Sequence, residues 1–202
     1  MKINFNELKN YENEEVVLQG FVDKIRNLQY VQFVILRDST GKVQITIEKN
    51  EENAKMVEII DNLTQESTLK VKGKVLINEK VKMGGIEVIP SSITVTSLSL
   101  PELPLDIKSK DNSLRETRLD YRFLDLRREE NNLFFKCETI LEQAFREYCV
   151  DKGFIEIHSP KIAAGAAESG AEVFKIDYFG QTACLSQSPQ FYKQMAMAAG
   201  FD

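Results

Sequence analysis

Three apolar runs in the N-terminal half decide the fold: Val16-Val17-Leu18-Gln19-Gly20-Phe21-Val22, Val31-Gln32-Phe33-Val34-Ile35-Leu36-Arg37 and Val43-Gln44-Ile45-Thr46-Ile47. β-branched and aromatic residues dominate these runs, and that composition is typical of strands. The residues between the second and third runs, Asp38-Ser39-Thr40-Gly41, favour a turn. The sequence therefore predicts a hairpin here.

The segments that follow predict a small barrel. An apolar stripe near period 3.6 indicates a helix over residues 54–63, and strand-like alternation returns over 69–75 and 86–96. Three strands, a helix and two further strands favour a five-stranded barrel of the oligonucleotide-binding type, an OB-fold, over residues 1–100. On pattern alone, an unrelated five-stranded barrel with a structural role is equally open.

A break in these patterns separates the barrel from a second region. Pro101, Pro104 and the polar stretch 108–113 predict a linker over residues 101–130. From Leu133 to Tyr148 apolar residues recur at helical spacing, and Lys152-Gly153 has the composition of a helix C-terminus.

The remainder of the second region, residues 131–202, mixes strands, a loop and a helix. We expect a strand at Phe154–His158, two short apolar strands at Val173–Tyr178 and Ala183–Leu185, and a helix from Phe191 to Gly200. Small residues between these strands predict a loop over 163–171. The fold class is therefore α+β.

Composition excludes several classes of protein. Hydrophobic residues make up 43% and charged residues 28% of the chain, which argues against disorder. No apolar run is long enough to cross a bilayer, and the N-terminus does not resemble a signal peptide, so we expect a cytoplasmic protein. Three scattered cysteines and one histidine support neither a disulfide framework nor a metal site.

The net charge of the chain is −5, so binding to a phosphate backbone would depend on local basic patches and not on the overall charge. Two groups of basic residues are dense enough to contact phosphates, although the pattern alone favours solvated faces for both: Lys70, Lys72 and Lys74, and Arg115, Arg118, Arg122, Arg127 and Arg128.

Few residues indicate chemistry directly. The P-loop, dinucleotide-binding and nucleophile-elbow motifs do not occur in the sequence, and His158 is expected to be packed or exposed rather than catalytic. Phe33 and Gln44 fall on facing strands of the hairpin, where a ring can stack on a base and an amide can bind a base edge. Phe33 could equally belong to the core. Glu168 is the one charge in a loop, 165–170, that is either a lid or plain surface.

Three stretches resemble one family: Glu116-Thr117-Arg118-Leu119-Asp120-Tyr121-Arg122-Phe123-Leu124-Asp125-Leu126-Arg127-Arg128, Gly153-Phe154-Ile155-Glu156-Ile157-His158-Ser159-Pro160-Lys161-Ile162 and Leu185-Ser186-Gln187-Ser188-Pro189-Gln190-Phe191-Tyr192-Lys193-Gln194. They are similar to aspartyl-tRNA synthetases of the archaeal and eukaryotic type, with an N-terminal anticodon-binding OB-fold and a class II catalytic domain built on an antiparallel sheet. Asparaginyl-tRNA synthetases share this architecture. A non-catalytic tRNA-binding paralogue is a further alternative.

The resemblance implies roles for individual residues in the barrel. Phe33 would stack on the central uridine of the anticodon, Gln44 would hydrogen-bond that base, and Glu87 would bind the wobble guanine. Arg26 would contact a phosphate or a base. The implied partner is tRNA(Asp), with tRNA(Asn) as a second candidate because the two anticodons share their first two bases.

In the second region, the resemblance implies part of an aspartate pocket and a dimer interface. Ser188, Gln190 and Lys193 match aspartate-binding positions, and Glu168 lies in the loop that closes over the amino acid. Pro160 belongs to the first class II motif, which forms the homodimer interface.

The family's later motifs set a limit on what these residues are expected to do. Its second motif, Phe-Arg-x-Glu, and the arginine of its third motif do not occur in the 202 residues. The full-length enzyme would use ATP and Mg²⁺, whereas in this chain we expect neither the ATP-binding elements nor a catalytic residue. We therefore expect the incomplete start of a catalytic domain, inactive by itself.

Overall fold

A computed structural model describes residues 3–108, 113–165 and 172–201. The chain divides into two units, Met1–Asp125 and Leu126–Asp202. The division falls inside the predicted linker, whose bounds of 101–130 stay a prediction. Among the described residues, no helix combines the length and the apolar character that crossing a bilayer requires.

The first unit contains the predicted five-stranded barrel. Its strands close in the order β1-β2-β3-β5-β4, as expected for an OB-fold. The elements are a 3₁₀-helix at Phe5–Tyr11, β1 at Glu15–Asn27, β2 at Val31–Arg37, β3 at Lys42–Glu48, α1 at Ala54–Asp61, β4 at Thr68–Ile77 and β5 at Ile86–Ser97.

Strand alternation fills the barrel with aliphatic side chains. Val34 and Leu36 of β2 point inward and are fully buried, as are Ile45 of β3 and Val71 of β4. The strands pair antiparallel except for β3 and β5, which pair in parallel. The predicted turn after β2 is confirmed, since the Asp38 carboxylate accepts hydrogen bonds from the backbone N–H groups of Thr40 and Gly41.

A cluster of charged side chains lies at one side of the barrel. Arg37 on β2 donates to the Glu66 carboxylate, with Nη2 2.6 Å from Oε1, and its Nε lies 3.5 Å from Asp23 Oδ1. Asp23 occupies a bulge in β1, where the register shifts between Val22 and Lys24. Lys108, from the predicted linker, donates to the Asp23 carbonyl and pairs with its carboxylate. Residue 108 is therefore attached to the barrel.

Two short helices end the first unit, α2 at Arg115–Asp120 and α3 at Arg122–Asp125. Asp125 is fully buried and accepts hydrogen bonds from Arg118 and Arg122. Burial by itself raises the pKa of the Asp125 carboxyl, but the hydrogen bonds and charges of the two guanidinium groups outweigh it, so the pKa lies below its ordinary value.

Because Asp125 pairs with Arg118 and Arg122, we expect residues 115–125 to lose stability in acid. Because the pKa of Asp125 is lower in the folded state, its stabilising effect is complete above the unfolded pKa of about 3.9 and is lost as the pH falls through the folded value. The protection of the amides of residues 115–125 against hydrogen exchange, relative to the intrinsic rate at each pH, should therefore decrease below about pH 4 in the wild type. Asp125→Asn should exchange faster already at pH 7, with a weaker dependence on pH. Asp120→Asn, at an exposed carboxylate, is the matched control, and identical profiles for the two variants would contradict the assignment.

The second unit contains the predicted helices and a small antiparallel sheet of order β6-β8-β7. The long helix ends as predicted, because Gly153 adopts a φ of +88° and its N–H donates to the Val150 carbonyl. The elements are α4 at Glu129–Asp151, β6 at Ile162–Ala163, β7 at Lys175–Tyr178, β8 at Gln181–Leu185 and α5 at Gln190–Ala198.

One predicted strand is wrong. Phe154–His158 alternates between apolar and polar residues, yet the structure assigns no strand there. Alternation indicates which side chains could share a face, whereas a strand also needs a neighbour to accept its backbone hydrogen bonds. In the described part of the chain, no strand pairs with this segment, and Phe154 and Ile155 are exposed.

Candidate nucleic-acid interface

A groove of about 590 Å³ lies on the outer face of the barrel. The four residues predicted to contact the anticodon, Arg26, Phe33, Gln44 and Glu87, all line it. Its other lining residues are Asp23, Lys24, Ile35, Lys42, Thr46, Asn78, Lys80, Val81, Lys82 and Met83.

Strand register brings the four predicted residues together. Arg26 of β1 lies opposite Phe33 of β2, and Phe33 lies opposite Thr46 of β3. On the same face of β3, Gln44 lies opposite Glu87 of β5 through the parallel pairing. Since residues i and i+2 of a strand share a face, these side chains form one row across four strands.

Phe33 belongs to this row and not to the barrel core. The neighbouring residues Gln32 and Val34 are fully buried, whereas Phe33 is half-buried and lines the groove. An aromatic ring in this position offers a face on which a base can stack.

A chain of hydrogen bonds joins the polar side chains of the groove. The Thr46 hydroxyl donates to Glu87 Oε2 at 2.6 Å, and the Asn78 amide donates to Glu87 Oε1 at 2.7 Å. Thr46 Oγ1 in turn accepts from the Gln44 amide at 3.2 Å. Glu87 is 9% exposed. The two donors, one on each oxygen, hold its carboxylate in one orientation.

The groove is locally cationic although the chain is acidic. Five cationic side chains line it, against the two carboxylates of Asp23 and Glu87: Lys24, Arg26, Lys42, Lys80 and Lys82. An excess of cations along a channel is the arrangement that attracts a phosphate backbone.

Sequence reasoning missed the contribution of Thr46 and of the loop between β4 and β5, residues 78–85. Thr46 could have been found, because it lies two residues after Gln44 on the same strand face. Asn78, Lys80 and Lys82 carried no such signal, since only the folded barrel brings their loop to the groove.

The two basic groups of the sequence lie elsewhere. Lys70, Lys72 and Lys74 are exposed on β4 and do not line the groove. Lys72 pairs with Glu15 at 2.8 Å, and this hydrogen bond from Lys72 lowers the pKa of the Glu15 carboxyl. In the arginine group, Arg118 and Arg122 bind Asp125. For Lys72 and these two arginines, carboxylates of the chain are thus the observed partners.

The second unit has a smaller open pocket of about 230 Å³. Lys193, predicted to bind aspartate, lines this pocket together with Lys161, Ser159, His158, Ile157 and Pro189. Gln190 is exposed and does not line it, and its backbone N–H donates to Ser188 Oγ at 3.3 Å. Glu168 lies outside the described residues.

One face of α4 is apolar and exposed. No described residue of this helix is buried, and Pro160 of the predicted first motif is also exposed. Large, exposed apolar side chains lie along the helix: Leu133, Phe134, Ile140, Leu141, Phe145 and Tyr148. Apolar patches of this kind mark surfaces that are covered in an assembly.

Comparison with known proteins agrees with both halves of this description. Residues 16–96 match the family model of the OB-fold nucleic acid binding domain, and residues 114–202 match that of tRNA synthetases class II (D, K and N). The chain belongs to the class II tRNA synthetases.

Relatives of this synthetase chain are aspartate ligases. It is 49% identical over 191 residues to the aspartate–tRNA(Asp/Asn) ligase of Methanopyrus kandleri, covering 95% of the chain and 44% of that protein. It is 42% identical over 189 residues to the aspartate–tRNA(Asp) ligase of Picrophilus torridus, covering 94% and 44%. The chain spans less than half the length of these curated relatives.

A solved structure with the same fold is the asparaginyl-tRNA synthetase of Pyrococcus horikoshii complexed with asparaginyl-adenylate. The TM-score is 0.87 at 32% identity, covering 98% of the chain and 45% of that protein.

The described residues do not form a metal site of their own. None of their groupings of three or more His, Cys, Asp and Glu side chains is placed to hold a metal ion. We assign none of these residues to Mg²⁺.

Proposed function

We propose that this chain carries the anticodon-binding barrel and part of the amino-acid pocket of a cytoplasmic aspartate–tRNA ligase. The whole enzyme would join aspartate to ATP as an aspartyl-adenylate with release of pyrophosphate, and would then transfer aspartate to tRNA; Mg²⁺ would accompany the ATP. The observation that carries the proposal is the convergence of Arg26, Phe33, Gln44 and Glu87 on one cationic groove. The aspartate ligases among the relatives support the choice of amino acid.

Each residue in the groove has a chemistry suited to one part of an anticodon. The Phe33 ring stacks on the central uridine, and the Gln44 amide, which has both a donor and an acceptor, binds that base's edge. Glu87 accepts hydrogen bonds from the wobble guanine. Arg26 and the groove lysines neutralise backbone phosphates.

Phe33→Ala tests the anticodon contact. Loss of one base stack should weaken binding of a tRNA(Asp) anticodon hairpin by about 5- to 150-fold, corresponding to about 1–3 kcal/mol. Filter binding at one stated salt concentration measures the effect, because phosphate contacts depend steeply on ionic strength. Phe179→Ala removes an exposed ring in the second unit and should leave affinity unchanged. Equal affinities of wild type and Phe33→Ala would contradict the role of the groove.

Comparing the affinities for two anticodon hairpins tests which tRNAs are bound. The relatives act on tRNA(Asp/Asn) in one case and on tRNA(Asp) in the other. The two anticodons, GUC and GUU, differ only at the third base, which Phe33, Gln44 and Glu87 do not contact in this proposal. Affinities for the two hairpins, measured side by side, decide whether tRNA(Asn) is a second substrate.

In the second unit, Lys193 is the proposed partner of the substrate side-chain carboxylate. Lys161 adds a second cation to the same pocket, and opposite charge favours aspartate over neutral asparagine. Glu168 would bind the substrate ammonium, and Ser188 and Gln190 complete the proposed set. Pro160 and the apolar face of α4 would form a homodimer interface, which sedimentation of the chain can test.

Asparagine–tRNA ligase is the second candidate, because a solved asparaginyl-tRNA synthetase shares the fold at a TM-score of 0.87. ATP–pyrophosphate exchange by the full product of the gene separates the two. Exchange that depends on aspartate supports the proposal, and exchange that depends on asparagine alone would replace it.

A further inference from the structure

The Glu87 carboxylate is held by side chains that the proposed anticodon contacts do not include. Thr46 and Asn78 each donate to a different oxygen of the carboxylate, at 2.6 and 2.7 Å. Asn78 is itself fixed, since its Oδ1 accepts from the backbone N–H of Lys80 at 3.1 Å. Both donors line the groove beside Glu87.

The direction of the Thr46 hydrogen bond follows from its neighbours. A hydroxyl has one hydrogen to donate, and Thr46 Oγ1 already accepts from the Gln44 amide. Its hydrogen therefore points to Glu87. Thr46 in this way connects Gln44, the proposed contact of the central base, to Glu87, the proposed contact of the first base.

We propose that Thr46 and Asn78 are positioning residues that orient the Glu87 carboxylate for a purine with two adjacent N–H donors, the N1–H and 2-amino groups of guanine. The inference rests on the proposed function. With one lone pair of each oxygen occupied by a protein donor, the remaining lone pairs face the groove as a paired acceptor. A freely rotating carboxylate distinguishes poorly between a base with one N–H donor and a base with two adjacent donors. Fixing its orientation therefore changes the selectivity between these bases more than the affinity for either.

The test compares anticodon hairpins that carry guanosine or inosine at the first anticodon position. Inosine lacks the 2-amino group and retains N1–H, so the ratio of the two affinities measures paired recognition. Thr46→Val replaces the hydroxyl with a methyl group of similar volume. We expect it to reduce the wild-type preference for guanosine by about tenfold, the typical effect of a hydrogen bond to a charged group.

Two further variants separate positioning from folding. Thr46→Ser retains the hydroxyl and should restore the preference. Asn78→Ala, in the loop, removes the donor to Glu87 without adding a charge, keeps the backbone hydrogen bond from residue 78 to the Gly85 carbonyl, and should also reduce the preference. If Thr46→Val does not fold, the same hairpin comparison with Asn78→Ala decides.

The outcomes distinguish this inference from the function on which it rests. If the variants weaken guanosine and inosine hairpins equally, Thr46 and Asn78 have only a structural role and the inference is overturned. If the wild type binds both hairpins equally well, Glu87 does not bind the 2-amino group, and the inference fails while the groove can stand. If the wild type binds neither, the proposed function itself fails.

Discussion

Replacing Glu66 with glutamine is expected to lower the free energy of unfolding of the barrel by about 3–5 kcal/mol. The Glu66 side chain is 1% exposed and pairs with Arg37 at 2.6 Å. Removing the carboxylate charge leaves the buried guanidinium of Arg37 without its short charged contact, while Asp23 Oδ1 lies 3.5 Å from its Nε. Breaking one side of a buried pair costs far more than breaking an exposed one, because the remaining charge loses solvent as well as its partner.

Hydrogen exchange of the slowest barrel amides, such as those of Val34 and Ile45, measures this change, since such amides exchange through global unfolding. Glu15→Gln makes the same chemical change in the exposed pair with Lys72 and should have little effect. Combining Glu66→Gln with Arg37→Met should cost less than the sum of the single variants, because the buried cation is gone. Equal, small effects of Glu66→Gln and Glu15→Gln would contradict the argument.

Gly73→Ala should destabilise the barrel by about 3 kcal/mol, at the upper end of the usual range for overpacking. A Cβ at residue 73 would lie 2.5 Å from the Ile89 carbonyl oxygen and 2.8 Å from Pro90 Cα. Both obstacles are backbone atoms of the adjacent strand β5, so no side-chain rotation relieves the contact. The register shift between Lys72 and Gly73 occurs at the same place, where β4 and β5 approach closely.

Gly41→Ala is the matched control in the same barrel, because the added Cβ would meet its nearest atom at an ordinary 3.5 Å. Exchange of the Val71 and Val88 amides in the two variants gives the comparison. A Gly73→Ala barrel as stable as the Gly41→Ala barrel would show that β5 moves away without cost. Since Glu87 lies on β5, hairpin binding by Gly73→Ala should also weaken.

The sequence predicted the five barrel strands and α1 because each is encoded locally. Alternation of apolar residues indicates a strand whichever strand lies beside it, and the Asp38 turn depends on four successive residues. The family was recognisable for a similar reason, since its motifs are short contiguous stretches such as 185–194. Roles for Phe33, Gln44 and Glu87 came from that resemblance and stay predictions.

The position of Phe33 depended on tertiary structure. Alternation in β2 separates residues 32, 34 and 36 from 33, 35 and 37, but it does not state which set faces the core. Closure of the barrel buries the first set among the aliphatic side chains of the other strands. The wrong strand at Phe154–His158 has the same origin, because a local pattern does not contain the partner that a ladder requires.

Local composition and periodicity thus determined the barrel strands and the three main helices, and short contiguous motifs carried the resemblance to the family, since each depends on residues that are near one another in the chain. Only the tertiary structure decided which side chains share the groove. Parallel pairing of β3 with β5 brings Glu87 beside Gln44, and the loop after β4 brings Asn78 to the same carboxylate. These contacts join residues far apart in sequence, and the physical reason they form is closure of the barrel, which leaves β3 and β5 as neighbours.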